Sequence, residues 1–247
     1  MRKPRGGSVT NHSRRPVGGD SAAQTFIKKL LHTEAVSHSP LIYVVKMEAT
    51  QDKVQKKSIR LIAAITKDRG MGKDGHMAWS IPSESKYFMD TITRVSKPGK
   101  MNLFIWGKLC FRAHPASDFP MANCLHVVLS ETLNSVPDHA NFLCRDFESA
   151  VLLAAKPPLS DLIETIWVIG GRRVYEDAMK HPWCDLIYLT DVMAEFDCDV
   201  FFPEFDKDVF KLQESFPDVP SGIQEDNGIK YKCEVFKRET GVAVEAE

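Results

Sequence analysis

The sequence predicts an α/β domain in which a central, mostly parallel twisted sheet has an antiparallel C-terminal edge and helices on its flanks. Short β-like runs alternate with helix candidates between residues 58 and 240, which is typical of parallel strands joined by crossovers. Near-continuous apolar runs such as LIAAI and IWVI favour strands that are buried on both faces. The last run, IKYKCEVFKR, alternates in polarity and is predicted to pair antiparallel at an edge.

The individual elements follow from hydrophobic periodicity and from the positions of glycine and proline. Seven strands are predicted, over residues 59–66, 101–107, 125–130, 141–145, 165–171, 186–192 and 229–238. Four helices are predicted between them, over residues 83–93, 108–113, 147–155 and 172–180. We place the domain at residues 58–240, with a short tail at 241–247.

Residues 1–57 have a different composition from the rest of the chain. The first 19 residues are basic and contain no acidic side chain, which predicts disorder, and AAQTFIKKLLHTEAV suits a short amphipathic helix. This composition resembles a transit peptide. The alternatives are an untargeted tail and an extension upstream of a natural start at Met47. We therefore expect a cytoplasmic protein, with a mitochondrial location as the alternative.

Composition and charge exclude several classes of protein. The 247 residues have a formal net charge of -1, whereas dedicated nucleic-acid-binding domains are usually strongly basic. No apolar run approaches the roughly 20 residues that span a bilayer. The six cysteines include no C-x-x-C pair, and the histidines show no metal-ligand spacing. We expect a monomer that binds a small molecule, with no metal, nucleic-acid or membrane partner.

Glu84 is a single carboxylate in the apolar segment MAWSIPSESKYFMDTI. If a helix begins near Pro82, then Ile81, Glu84, Phe88 and Ile92 fall on one stripe. A carboxylate on an apolar face costs several kcal/mol unless a partner compensates it, so Glu84 is a candidate proton donor or ligand anchor with a raised pKa. The alternative is an exposed glutamate in the first turn, favoured by the helix dipole.

Two segments have the order strand, glycine, helix. Gly107 and Lys108 follow one predicted strand, and Gly170-Gly171 follow another, just before Arg172 and Arg173. Glycine allows close backbone approach, and free N–H groups at a helix N-terminus attract phosphate. Together the two segments predict a site for the pyrophosphate of a dinucleotide, although tight packing alone also explains a single Gly-Gly.

Gly70, Gly72 and Gly75 match the pattern G-x-G-x-x-G just after a strand. No helix is predicted to open there, because Trp79 and Pro82 follow too closely. We therefore interpret RGMGKDGH as a flexible glycine-rich loop beside a site rather than as a dinucleotide fingerprint.

Several motifs in this order resemble the dihydrofolate reductase family over residues 58–238. They are GMGKDGHMAW, WSIPSESKYF, IWGK, IWVIGGRRVYEDAM, YLTDV, DVFFPEFD and YKCEVFKR. The resemblance implies transfer of a hydride from NADPH to the pterin ring of 7,8-dihydrofolate. It implies catalytic roles for Glu84, Trp79 and Thr190, and it implies that the substrate is bound by Ala63, Ala64, Phe88, Ile169 and Thr190.

The same resemblance implies a set of cofactor-binding residues spread along the chain. They are Ala64, Gly70, Gly72, Lys73, Gly75, Gly107, Lys108, Cys110, Ser130, Arg145, Gly170, Gly171, Arg172, Arg173, Val174 and Tyr175.

Several residues depart from the family's pattern at ligand-facing positions. Cys110, Ala78 and Ser85 stand where the family usually has a threonine, a proline and a bulky pocket residue. Cys124 stands where the family has an arginine that clamps the glutamate tail, which implies weaker tail binding. Glu131 stands where a basic residue often holds the 2′-phosphate of NADPH, so NADH is kept as an alternative cofactor. Three hypotheses follow: a dihydrofolate reductase, a reductase of a pterin that lacks the glutamate tail, and a non-catalytic binding protein with the same fold.

Overall fold

The computed structural model describes residues 54–239. The strands are β1 Ser58–Thr66, β2 Gly70–Lys73, β3 His76–Met77, β4 Met101–Gly107, β5 Cys124–Leu129, β6 Phe142–Cys144, β7 Ile163–Gly170, β8 Cys184–Val192, β9 Val200–Phe201, β10 Phe210–Leu212, β11 Ile223–Asp226 and β12 Ile229–Arg238. The helices are α1 Pro82–Thr93, α2 Lys108–Ala113, α3 Phe147–Ala155, α4 Leu159–Leu162 and α5 Arg172–Lys180. The predicted helix and targeting segment near the N-terminus and the tail at 241–247 lie outside the described residues.

The main sheet has the strand order β10-β12-β8-β1-β7-β4-β5-β6, and β11 pairs with β12. The pairs within the run from β8 to β6 are parallel. Strand β12 pairs antiparallel with β8, β10 and β11. The predicted parallel sheet with an antiparallel C-terminal edge is therefore confirmed.

The predicted elements agree closely with the observed ones. Helices α2, α3 and α5 and strands β4 and β12 have the predicted bounds, and α1 begins one residue earlier, at Pro82. The sequence analysis missed the one-turn helix α4 and the short strands β2, β3, β10 and β11. Strands of two to four residues are too short to show a periodic pattern, and these strands form only because other strands pair with them.

The prediction of an irregular loop at RGMGKDGH is wrong, because this segment forms a β-hairpin. The rejection of a dinucleotide fingerprint is confirmed, because the next helix begins only at Pro82. Strand β2 pairs antiparallel with β3 and with β9 in a second, three-stranded sheet. Asp74 and Gly75 occupy the turn with φ of 51° and 80°, as a tight two-residue hairpin connection requires. The Asp-Gly pair was the local signal for this turn.

The β11–β12 hairpin has the same kind of turn. Asn227 and Gly228 occupy it with φ of 50° and 73°, and Asp226 pairs with Ile229 in register. The sequence analysis predicted β12 but overlooked the Asn-Gly signal just before it, and it therefore missed β11.

The described residues contain neither a helix long and apolar enough to cross a membrane nor a cluster of side chains suited to a metal ion. Several of the most deeply buried large side chains, among them Phe104, Trp106 and Ile166, lie on the central strands β4 and β7. Ile92 of α1 packs in the same apolar cluster as Phe104 and Trp106, so α1 packs on the sheet beside β4.

Candidate active site

Glu84 lies on the buried face of α1. The residue is only 8% exposed, and Ile81 and Ile92 on the same stripe are 2% and 0% exposed. The predicted apolar stripe is confirmed, and the alternative of an exposed first-turn glutamate is wrong. Burial raises the pKa of the Glu84 carboxyl above its ordinary value, and a hydrogen bond from Thr190 partly opposes that rise.

Thr190 reaches Glu84 from β8 and holds its carboxylate. The Thr190 hydroxyl donates to Oε1 of Glu84 over 3.0 Å. Thr190 pairs in register with Ala64 of β1 on one side and with Cys233 of β12 on the other. The Cys233 sulfur lies 3.9 Å from the Thr190 hydroxyl oxygen. Sequence reasoning missed Cys233, because only the antiparallel register of β12 brings it to Thr190.

Aromatic side chains enclose this region. Trp79 packs with Phe196, at 5.4 Å between ring centroids, and against an apolar cluster that includes Ala64 and Cys233. The indole Nε1 of Trp79 is buried and has no acceptor within residues 54–239. A buried N–H normally finds a partner, so this atom suits an acceptor from a ligand or from solvent. Phe88 is half-buried, one turn beyond Glu84 on α1.

The two strand–glycine–helix segments meet at the ends of β4 and β7. Trp106 pairs with Gly170 in register, and a Cβ added at Gly107 would lie 3.2 Å from the backbone nitrogen of Gly171. Neither α2 nor α5 has a side chain that caps its N-terminus. A Cβ added at Gly171 would meet no atom within 4 Å, so the space beside the start of α5 is open.

Tyr175 supports this turn from beneath. Its hydroxyl is 2.8 Å from the Ile62 carbonyl and 2.6 Å from the Ile169 carbonyl, and the residue is 3% exposed. Gly170 has φ of 130°, and an added Cβ would lie 3.2 Å from both the Tyr175 hydroxyl and the Cys110 sulfur. Val174 is also buried and packs next to Gly107. The geometry therefore gives Tyr175 and Val174 supporting positions rather than exposed ones.

Two cationic side chains, those of Lys108 and Arg145, hold the turn after β5. Lys108 donates to the Thr132 hydroxyl over 2.9 Å, and Arg145 donates to the carbonyl groups of Ser130 and Leu133 at 2.8 and 2.7 Å. The Ser130 hydroxyl accepts from the backbone N–H groups of Thr132 and Leu133. Glu131 is exposed on this turn.

The remaining residues predicted to bind the cofactor differ in solvent exposure, in their ion pairs and in the space beside them. Arg173 is exposed, and Arg172 forms an ion pair with Glu176 at 3.0 Å. Lys73 forms an exposed ion pair with Asp197 at 3.0 Å. An added Cβ would lie 2.6 Å from the Cys198 sulfur at Gly70 and 2.6 Å from the His76 carbonyl oxygen at Gly72, whereas at Gly75 it would meet no atom within 4 Å.

Cys124 is a packing residue. It is 7% exposed, and its thiol donates to the Met121 carbonyl over 3.4 Å. Trp106 donates to Nδ1 of His126 over 3.1 Å, which places the His126 proton on Nε2, 3.4 Å from the Cys124 sulfur. Burial lowers the pKa of His126 to about 4, so this chain of hydrogen bonds is uncharged at neutral pH.

A buried carboxylate held by a hydroxyl, together with two glycine-lined helix N-termini at the ends of neighbouring parallel strands, fits an α/β enzyme that binds a dinucleotide. The family model for dihydrofolate reductase matches residues 58–238. The chain therefore belongs to the dihydrofolate reductase family.

Individual relatives agree with this assignment. The chain is 36% identical to the dihydrofolate reductase of Sus scrofa over 181 residues, which are 73% of this chain and 97% of the relative. It is 37% identical to that of Drosophila melanogaster over 180 residues, which are 72% of this chain and 96% of the relative. The solved structure of Schistosoma mansoni dihydrofolate reductase superposes with a TM-score of 0.66 at 27% identity, covering 75% of this chain and all of that one.

Proposed function

We propose that this protein reduces 7,8-dihydrofolate to 5,6,7,8-tetrahydrofolate with NADPH as the reductant. The observation that carries this proposal is the buried Glu84 carboxylate, which accepts a hydrogen bond from Thr190 next to the paired strand ends. Membership of the dihydrofolate reductase family supports the substrate and the cofactor.

In this proposal Glu84 binds the pterin ring and assists its protonation. A carboxylate accepts two parallel N–H donors well, so Glu84 suits the amino group and the adjacent ring nitrogen of a pterin. The raised pKa of Glu84 brings its protonation closer to neutral pH, which favours delivery of a proton to a ring nitrogen that becomes more basic as the ring is reduced. Thr190 fixes the carboxylate, and Trp79, Phe88, Ala63 and Ala64 provide the apolar walls.

The residues at the paired strand ends fit a dinucleotide. The open space beside Gly171 and the uncapped start of α5 suit a pyrophosphate group. We assign the pyrophosphate to Gly107, Gly170, Gly171 and the backbone of Arg172 and Arg173, and the 2′-phosphate to Lys108 and Arg145. When it is bound, the nicotinamide supplies the hydride, while the protein supplies alignment and the electrostatic environment.

A second candidate function is the reduction of a pterin that lacks the glutamate tail. The Cys124 position favours it, because a neutral thiol in a closed hydrogen-bonded chain offers a carboxylate no charge. Loss of a charge-assisted pair costs about 1.5–3 kcal/mol, or roughly 10- to 150-fold in affinity. The exposed side chains of Arg112 and Lys86 are the alternative cations for a tail.

The test is a spectrophotometric assay of the full chain with 7,8-dihydrofolate and a tail-less dihydropterin, each run with NADPH and with NADH. Oxidation of the nucleotide with a higher kcat/KM for dihydrofolate supports the proposed function. A higher kcat/KM for the tail-less substrate supports the second candidate. A folded protein that binds nucleotide but turns over neither substrate overturns both and leaves the non-catalytic hypothesis.

We further propose that the protein acts as a monomer in a reducing compartment, either the cytoplasm or the mitochondrion. All six cysteines lie within the described residues, and all are free thiols. Light scattering after size exclusion tests the oligomeric state, and imaging of a C-terminal fluorescent fusion tests the compartment.

A further inference from the structure

Helix α1, which carries Glu84, begins without a cap of its own. Its N-cap residue is Ile81, whose side chain cannot accept a hydrogen bond, and Pro82 has no N–H. The first N–H of the helix that needs a partner belongs to Ser83. It donates to Oδ2 of Asp226 over 2.7 Å. Asp226 is 143 residues away in the chain, at the end of β11, so a distant hairpin supplies the cap.

The same hairpin holds the start of α1 at two further points. The hydroxyl oxygens of Ser83 and Tyr231 are 2.8 Å apart, and Asn227 donates from its amide to the Ser80 carbonyl over 3.2 Å. Tyr231 is 4% exposed and lies on β12, two residues before Cys233, which faces Thr190. Strand β12 and its turn therefore contact both the helix that carries Glu84 and the strand that carries its hydrogen-bond donor.

We propose that Asp226 is a positioning residue for Glu84: its carboxylate fixes the first turn of α1 and adds a negative charge at that helix terminus. The proposal rests on the proposed role of Glu84. The N-terminus of a helix has a partial positive charge that favours an ionised carboxylate in the first turn. An anionic Asp226 offsets this effect, so Glu84 keeps its proton to higher pH than it would without Asp226.

The other titratable groups close to Glu84 in the described part of the chain are neutral near pH 7. Tyr87 of α1 and Cys233 of β12 lie close enough to interact with the Glu84 carboxylate, but burial raises the pKa of Tyr87 well above its ordinary value and that of Cys233 to about 11. Both stay neutral near pH 7. On β8 and β12, Asp191 and Lys232 are one residue from Thr190 and Cys233 and point to the opposite face of the sheet. The hydrogen bond from the Ser83 N–H lowers the pKa of Asp226, which therefore stays ionised.

Two substitutions separate the effect of the Asp226 hydrogen bond on the position of α1 from the effect of the Asp226 charge on Glu84. Asp226→Ala removes both the acceptor and the charge. Asp226→Asn keeps an acceptor for the Ser83 N–H and removes only the charge. Glu225→Gln is the matched control, because Glu225 is exposed on the same strand, pairs with Lys230, and makes no hydrogen bond to α1 within the described residues.

The measurements are the single-turnover rate of hydride transfer as a function of pH and the equilibrium affinities for dihydrofolate and NADPH, all in the full chain. For Asp226→Ala we expect hydride transfer and dihydrofolate affinity to fall by about 5- to 10-fold, as loss of one cap allows, with NADPH affinity unchanged within about twofold. For Asp226→Asn we expect near-normal dihydrofolate affinity, with the pH profile of hydride transfer displaced to lower pH. Glu225→Gln should match the wild type.

Three results would overturn the inference. One is an Asp226→Ala variant with the wild-type rate and pH profile, and another is a parallel loss of NADPH affinity, which would indicate general loosening. The third is normal turnover by Glu84→Gln, measured alongside, because the proposed role of Glu84 then fails and the inference fails with it. If Glu84→Gln is impaired but the Asp226 variants are normal, only the inference fails.

Discussion

The hydroxyl of Thr190 donates to Oε1 of Glu84 over 3.0 Å, across the boundary between the sheet and helix α1. This contact joins a buried acid to the strand that runs between β1 and β12. It also opposes the effect of burial, because a hydrogen bond to the carboxylate favours the ionised form. Burial and this donor therefore act in opposite directions on the pH range in which Glu84 exchanges its proton.

Replacement of Glu84 by glutamine should lower kcat at neutral pH by at least about 100-fold, because an amide cannot supply a proton. The measurement is steady-state oxidation of NADPH with dihydrofolate. Titration of NADPH fluorescence provides the control, since the nucleotide site at the glycine segments should keep its affinity. Near-normal turnover would remove the proposed catalytic role.

Replacement of Thr190 by valine should move the pH profile of hydride transfer to higher pH. The lost hydrogen bond is the contact that lowers the pKa of Glu84, so burial alone would then raise that pKa further. Thr165→Val is a matched control, since Thr165 is also buried on a strand but makes no side-chain hydrogen bond within the described residues. A profile that stays in place or moves to lower pH would contradict this assignment.

The Glu84 carboxyl should also reduce stability at high pH. Because its folded-state pKa is raised above the ordinary value of 4.5, the folded protein holds a proton that the unfolded chain releases. The free energy of unfolding should therefore fall as pH rises from about 4.5 through the folded-state pKa. Glu84→Gln removes this dependence.

Urea denaturation across pH 4 to 8 measures this effect. At pH 8 we expect the glutamine variant to be more stable than the wild type by about 1–3 kcal/mol, because the buried, ionised carboxylate has only part of its hydrogen-bonding capacity satisfied. Near pH 4 the two proteins should differ little. A constant difference across the whole range would indicate a packing effect instead of a titration.

Replacement of Gly170 by alanine should lower stability, whereas replacement of Gly171 by alanine should lower NADPH affinity. At Gly170, with φ of 130° and contacts at 3.2 Å, an added methyl should strain the turn and lower the melting temperature. At Gly171 the methyl meets no atom within 4 Å, so the fold should persist while the methyl enters the space assigned to the pyrophosphate. We expect about 10-fold or more loss of NADPH affinity at unchanged stability in Gly171→Ala, equal to about 1.4 kcal/mol. Retained affinity would exclude this space as the phosphate site.

Replacement of Glu131 by lysine should raise the preference for NADPH over NADH. The exposed acid lies on the turn that Lys108 and Arg145 hold, where the proposed site would have it repel the 2′-phosphate. Removing the repulsion and adding a cation changes two exposed charge pairs, each worth about 0.2–1 kcal/mol, so kcat/KM for NADPH should rise by about 2- to 30-fold. The value for NADH, which lacks that phosphate, is the internal control. Equal changes for both nucleotides would place the 2′-phosphate elsewhere.

Much of the fold could be predicted because its determinants are local. The strand β4 and the helices α2, α3 and α5 have the predicted bounds, since apolar periodicity and the flanking glycines act over a few residues. The meeting of Gly107 with Gly171 also followed, because parallel strands end at one edge of a sheet. The hairpin turns at Asp74-Gly75 and Asn227-Gly228 were predictable from their dipeptides but were overlooked.

The sequence by itself determined where α1 begins and that Glu84 shares a stripe with apolar residues, because proline at the helix start and apolar residues at helical spacing are local signals. Whether Glu84 is buried was left open until the structure placed that stripe against the sheet. Only the tertiary structure decided what surrounds that carboxylate. Thr190 is 106 residues from Glu84, and Asp226 is 143 residues from Ser83. Their contacts depend on the registers of β8 with β1 and with β12, which are set by packing across the whole sheet rather than by any local pattern.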